Sequence, residues 1–181
     1  DNRPGASGNI GTEITAKAPA DGYTLLLVGP NHTVNASLYS KLPFDPVRDF
    51  APISLVTSAP YLLVVNPNVP AKSLSELIAF AKSRPGKVFY GSAGNGTAGH
   101  LGMELVKTMA GIEMVHIPYK GSPPALTDLL AGQVSAVFDN VLSSAPHVRG
   151  GRLRAIAVST LKRSSVMPDV PTVAESGLPG F

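Results

Sequence analysis

The stretch Lys87-Val88-Phe89-Tyr90-Gly91-Ser92-Ala93-Gly94-Asn95-Gly96-Thr97-Ala98-Gly99-His100 runs from β-prone residues into a loop of glycines and small polar residues. An apolar-periodic segment, Leu101 to Met109, follows at once. That order predicts strand, tight loop, helix, a junction that constrains everything around it. Such a loop leaves backbone N–H groups unpaired at the positive end of a helix, which suits an anion. The loop therefore reads as a grip for an anionic small molecule, a carboxylate above all. The same glycines also fit a plain tight turn in which Asn95 or Thr97 only caps the helix, and the residues alone leave both readings open.

The rest of the chain surrounds this junction with alternating strand and helix patterns. Ile10 to Lys17 reads as a short helix, and Tyr23 to Val28 is a continuous apolar run expected to form a buried parallel strand. A helical turn is expected over Asn35 to Tyr39. Strands are expected over Ile53 to Val56 and Tyr61 to Val65, ended by Asn66-Pro67-Asn68-Val69-Pro70. Ser73-Leu74-Ser75-Glu76 has capping-box spacing, and Leu74, Leu77, Ile78 and Ala81 mark the buried face of the helix that follows. Gly111 sits where a helix C-cap belongs, before a strand over Met114 to Ile117. Ser122-Pro123 reads as an N-cap with proline at the first helical position. Further strands are expected over Val134 to Phe138 and Leu153 to Val158, with helices over Ser143 to Val148 and Pro171 to Ser176. The alternation predicts an α/β fold with parallel sheets, and the Pro-rich stretch at 66–70 is the best place for a domain crossing.

Several chemistries can be tested against the pattern. Gly94-x-Gly96-x-x-Gly99 fits a dinucleotide fingerprint, but Met114 to Ile117 runs into Pro118-Tyr119-Lys120 with no acidic residue to hold a ribose hydroxyl. No Gly-Lys-Ser/Thr follows, and Tyr90 occupies the first position of what would be a Gly-x-Ser-x-Gly elbow. Lys and Arg are scattered and the net charge is only +3, so no basic stripe offers itself to nucleic acid. There is no cysteine, and His32, His100, His116 and His147 form no close pair in sequence, which argues against a metal site. The absence of cysteine also suits an oxidising compartment. His32 and His100 fall in loop or helix-start positions where a ligand could sit. Asp139-Asn140 follows a strand, placing a carboxylate at a strand's C-terminal end, with a plain helix cap as the other reading. An α/β enzyme using the loop as an oxyanion or phosphate cradle, with Asp139 or His100 as acid/base, is the rival, although no nucleophile–base pair is evident.

A set of short stretches in consistent order then carries a resemblance. They include Asn2-Arg3-Pro4-Gly5-Ala6 with Gly8-Asn9-Ile10-Gly11, Pro19-Ala20-Asp21-Gly22-Tyr23-Thr24-Leu25 and Asn35-Ala36-Ser37-Leu38-Tyr39. Leu42-Pro43-Phe44-Asp45-Pro46, Gly91-Ser92-Ala93-Gly94-Asn95-Gly96-Thr97 and Pro118-Tyr119-Lys120-Gly121 continue it. Ala125-Leu126-Thr127-Asp128-Leu129-Leu130, Phe138-Asp139-Asn140 and Pro168-Asp169-Val170-Pro171-Thr172-Val173-Ala174-Glu175 complete it. Together they resemble the periplasmic solute receptors of tripartite tricarboxylate transporters, also called Bug-type receptors. The resemblance implies an α/β, two-domain periplasmic-binding-protein fold of the type II, venus-flytrap kind, with a small carboxylate in the interdomain cleft and membrane transporter subunits as partners. It implies neither a cofactor nor a metal.

Carried onto this chain, it divides the sequence into a partial first domain, 1–66, a second domain with the carboxylate loop, 67–158, and a return segment towards the first domain, 159–181. The loop from Ser92 through Thr97 corresponds to the second-domain grip, so Ser92, Ala93, Asn95, Gly96 and Thr97 are the expected ligand contacts. Asp139 matches a position near the ligand's distal end, and His32 and Thr33 lie in a first-domain loop facing the cleft. Family members carry an additional N-terminal strand and helix with a Pro-Gly-Gly-type loop and extend past the equivalent of Phe181, so the fold is expected to be incomplete in this chain.

Overall fold

The computed structural model describes residues 1–3 and 5–181. In chain order the elements are α1 (Asn9–Ala16), α2 (Asn31–Leu38), β1 (Tyr61–Val65), α3 (Leu74–Lys82), β2 (Phe89–Ser92), α4 (Ala98–Ala110), β3 (Val115–Pro118), α5 (Ser122–Leu130), β4 (Ala136–Asn140), α6 (Val141–Arg149) and β5 (Arg154–Val158). The five strands form one sheet in the order β3-β2-β4-β1-β5. Alternation along the strands sends Leu63, Val65, Tyr90 and Phe138 to one face, where α3 and α4 cover them. Leu62, Val64 and Val137 go to the other, under α5 and α6. Helices on both faces explain why these strands read as continuous apolar runs rather than as alternating ones.

Local signals place most of these elements. Ser73 Oγ accepts the Glu76 N–H at 3.2 Å, while Glu76 Oε2 reaches back to the Lys72 N–H at 2.7 Å, one residue before the expected box partner. Gly111 closes α4 in the left-handed region at φ +60°, and Ile112 N–H returns to Lys107 O at 3.1 Å. At the start of α5 the expectation is corrected. Gly121, not Ser122, is the N-cap, because the Ser122 hydroxyl is drawn to Asp139 Oδ1 at 2.6 Å.

The sheet is mixed rather than parallel. β2 runs parallel to β3 and β4, but β1 is antiparallel to both β4 and β5. β1 thus belongs to the same sheet as the strands that follow it, fourth in the order, and the division expected at residue 66 falls just after it. Residues 159–181 also stay with this sheet. Val158 N–H donates to Pro171 O, Val173 N–H donates to Val158 O, both at 2.9 Å, and Val173 is buried in the core. The expected helix over Pro171 to Ser176 is instead a bridge and a series of turns.

Before β1 the chain is organised differently. Tyr23 to Val28 and Ile53 to Val56 form no strand and pair with none among the described residues, and most of their side chains face solvent, with Tyr23 91% and Leu55 86% exposed. A run of β-prone residues becomes a strand only when a neighbour takes its backbone N–H and C=O groups.

Candidate functional site

The three parallel strands end side by side, at Ser92, Pro118 and Asn140, and each is followed by a helix. The N-termini of α4, α5 and α6 therefore rise from one edge of the sheet, the edge where open α/β sheets bind ligands.

At the centre is the loop 93–97. Gly94 and Gly96 adopt φ of +138° and +74°, values that a side chain disfavours. Gly99 lets α4 sit against β4, since a Cβ there would fall 2.1 Å from Phe138 O. The neighbouring β3–α5 loop braces the turn, with Tyr119 N–H on Ser92 O and Gly121 N–H on Ala93 O, each at 3.0 Å. Thr97 stands at the N-cap of α4 but its side chain makes no capping bond; its hydroxyl donates to Gly94 O at 2.7 Å. The first helical bond is Leu101 N–H to Thr97 O, so Ala98, Gly99 and His100 present N–H groups with no capping side chain.

Of the expected contacts, Ala93, Asn95, Gly96 and Thr97 lie together in this loop. Ser92 is fully buried, and its hydroxyl shapes the turn, taking the Gly94 N–H at 3.1 Å and meeting His116 Nε2 at 2.6 Å. Asp139 stands at the end of β4, only 4% exposed, held by the hydroxyls of Ser122 at 2.6 Å and Ser144 at 3.4 Å. Burial raises its carboxyl above the usual aspartate range despite those bonds. Tyr119 is turned onto α5, where its hydroxyl donates to Asp128 at 2.7 Å and burial pushes its pKa to about 12.

His32 and Thr33 are engaged elsewhere. His32 Nε2 meets Pro46 O at 2.8 Å and its ring packs between Phe44 and Phe50, while Thr33 Oγ1 donates to Pro30 O. The side of α2 that meets the loop carries Val34, Asn35 and Leu38, all within 3.6 Å of where a Gly96 Cβ would stand. Asn31 and Asn35 donate to Ser7 O at 2.5 and 3.1 Å, and Ser7 Oγ donates to Asn95 O. Sequence reasoning missed Ser7 and Asn35, although the i, i+4 spacing of Asn31 and Asn35 marks one helix face.

Two histidines distant in sequence meet behind the loop. His100 and His116 stack with ring centroids 4.1 Å apart, and Tyr90 stacks on His116 at 4.8 Å. His100 Nδ1 accepts the Gly96 N–H at 3.1 Å. Burial, and then the neighbouring His100, push the His116 pKa down to about 4. Burial also lowers that of His100. No group of three metal-ligating side chains is found among the described residues, nor is any helix there long and apolar enough to cross a membrane.

With this geometry in hand, the chain can be set beside known proteins. The family described as "Tripartite tricarboxylate transporter family receptor" matches across residues 1–181. Protein BugT of Bordetella pertussis is 44% identical over 182 residues, covering 99% of this chain and 56% of that protein. A solved structure from R. palustris with adipate superposes with a TM-score of 0.97 at 43% identity, over 100% of this chain and 61% of the other. The periplasmic binding protein BugD gives 0.94 at 36% identity, over 100% and 60%. The chain thus spans little more than half the length of its curated relative, and over that span it shares the fold of periplasmic binding proteins, which are receptors rather than enzymes.

Proposed function

Since the chain belongs to the tripartite tricarboxylate transporter receptor family, we propose that it binds a small carboxylate against the loop 93–97 and the first turn of α4. The observation that carries this reading is the uncapped helix start. Thr97 spends its hydroxyl on Gly94 O, which leaves the N–H groups of Ala98, Gly99 and His100 aligned at the positive end of a 13-residue helix. Backbone donors of this kind hold an anion without a cationic side chain, in keeping with a net charge of only +3 spread over the sequence. The adipate in the R. palustris structure supports a carboxylate over a phosphate.

In this reading Ala93, Asn95, Gly96 and Thr97 form the grip, and Ser92 keeps its shape from beneath. Asp139, biased towards its neutral form by burial, lies near the far end of the ligand, where it repels an anion less than an ordinary aspartate would. Residues before Tyr61 form a first lobe and the sheet from Tyr61 onwards a second, with 159–181 along its edge. The first-lobe surface over the ligand is built by Ser7, Asn31 and Asn35 rather than by His32 and Thr33. Closure of the lobes desolvates the bound carboxylate and creates the surface read by membrane transporter subunits, in the periplasm.

Calorimetric titration of the full-length gene product with adipate, succinate, butyrate and neutral adipamide tests this. Ala98→Pro is the informative variant. Proline suits the first helical position, and Thr97 before it already has φ −69° and ψ 156°. The substitution deletes one donor and leaves the fold in place. Adipate affinity is expected to fall about tenfold or more, the loss of one charge-assisted bond, with adipamide not binding. Unchanged adipate affinity in Ala98→Pro would refute the assignment.

A further inference from the structure

The peptide joining Asn95 to Gly96 is fastened at both ends by groups from different parts of the chain. Its carbonyl accepts the hydroxyl of Ser7, 88 positions earlier, and its N–H donates to His100 Nδ1 at 3.1 Å. A peptide plane held at both its oxygen and its nitrogen cannot rotate, and here it is the unit just before the uncapped turn of α4.

Ser7 is itself held in an unusual posture. Its φ of +54° lies in the left-handed region, within a run of positive values at Gly5, Ala6 and Gly8. A non-glycine residue stays there only when its surroundings fix it. Asn31 and Asn35 do so by donating to its carbonyl, and Asn35 Nδ2 is fixed in turn by Asn9 Oδ1 at 2.7 Å. Because Ser7 O can only accept, the Asn35 amide is oriented with nitrogen towards it and Oδ1 towards Gly96. Gly96 completes the contact by lacking a side chain, since a Cβ there would stand 2.6 Å from Leu38 Cδ2.

His100 can accept the Gly96 N–H only while Nδ1 is unprotonated. The groups facing it are His116 from β3, stacked at 4.1 Å, and Glu104 and Lys107 from its own helix. Tyr90 from β2 stacks on His116 and donates to Glu104 Oε1 at 2.5 Å, and Lys107 donates to the same oxygen at 2.6 Å. With Glu104 occupied in this way, a protonated His100 would meet the second ring with little compensating charge, and burial already disfavours its cationic form.

We propose that Ser7 is a positioning residue which, with neutral His100, pins the Asn95–Gly96 peptide and so holds the carboxylate loop in its binding form when the first lobe closes, and that acid releases this pin. The inference rests on the carboxylate reading above for its functional meaning, but the pin itself can be observed without ligand. Its reporter is the Gly96 amide, followed by NMR hydrogen exchange in ligand-free full-length protein at pH 7 and pH 4, corrected for intrinsic exchange.

Wild-type protection at Gly96 is expected to fall roughly fivefold or more at pH 4, the loss of about one hydrogen bond. His100→Asn places an amide oxygen where Nδ1 stood and does not titrate, so its protection should persist at both pH values. Ser7→Ala and Ser7→Gly should both lower protection at pH 7. Glycine relieves the positive φ, so a purely conformational role for Ser7 would make Ser7→Gly more protected than the parent, which overturns the proposal. Acid loss in His100→Asn equal to that of wild type also overturns it. Adipate titration of the same samples separates the two claims. Absence of adipate binding with Gly96 behaving as expected defeats the carboxylate reading alone, while adipate binding with an indifferent Gly96 defeats the pin alone.

Discussion

His116 sits beneath the loop with its Nε2 on the Ser92 hydroxyl and its ring between those of Tyr90 and His100. Enclosure and the adjacent imidazole hold its folded pKa near 4, against about 6.5 in an open chain. Between those values the unfolded chain takes up a proton that the folded one refuses. Its contribution to stability is therefore complete above about pH 6.5 and is lost as pH falls towards 4, with no further loss below. Urea midpoints measured at pH 7.5, 5.5 and 4 should decline more steeply for wild type than for His116→Asn; parallel declines would contradict this. The expected strand over Met114 to Ile117 places His116 within a strand, and β3 carries it there. Its partnership with His100 was not legible, because it depends on β3 lying beside β2 and on α4 starting directly above them.

At the scale of elements, α4 is placed by glycines as much as by its apolar stripe. Gly99 and Gly102 both lie against Phe138, where added Cβ atoms would stand 2.1 Å from its carbonyl oxygen and 2.5 Å from its ring. Gly99→Ala must push the helix off β4 or distort its first turn. A loss of roughly 2–4 kcal/mol in urea unfolding is expected, as for other overpacked sites, together with weaker adipate binding from the displaced N–H groups. A stability within error of wild type would show that α4 is not seated on Phe138. The pattern Gly94-x-Gly96-x-x-Gly99 was readable for the same geometric reasons that it recurs in nucleotide sites: two backbone bends and one close helix–strand approach. α3 and α4 were legible from caps and period because those signals are local. The direction of β1 and the fate of Tyr23 to Val28 and Ile53 to Val56 were not. Pairing is a relation between distant segments, and an apolar run carries no record of which neighbour it has.

Across the whole molecule, the sheet from Tyr61 onwards carries the loop 93–97, and the segments before it meet that loop through Ser7 and α2. The family, the α/β architecture and the central loop could all be read from sequence. The joining of β1 and residues 159–181 to the sheet could not, since it rests on non-local bonds. That His32 and Thr33 are engaged away from the loop while Asn35 faces it reflects a helix face that only packing reveals. The proposed carboxylate site is the uncapped start of α4. Its most direct test is a titration of ¹⁵N-labelled full-length protein with adipate, followed by amide chemical shifts. Saturable shifts largest at Ala98, Gly99 and His100 are expected with adipate, and none with adipamide. Saturable adipate binding that leaves those three amides unmoved would contradict that assignment.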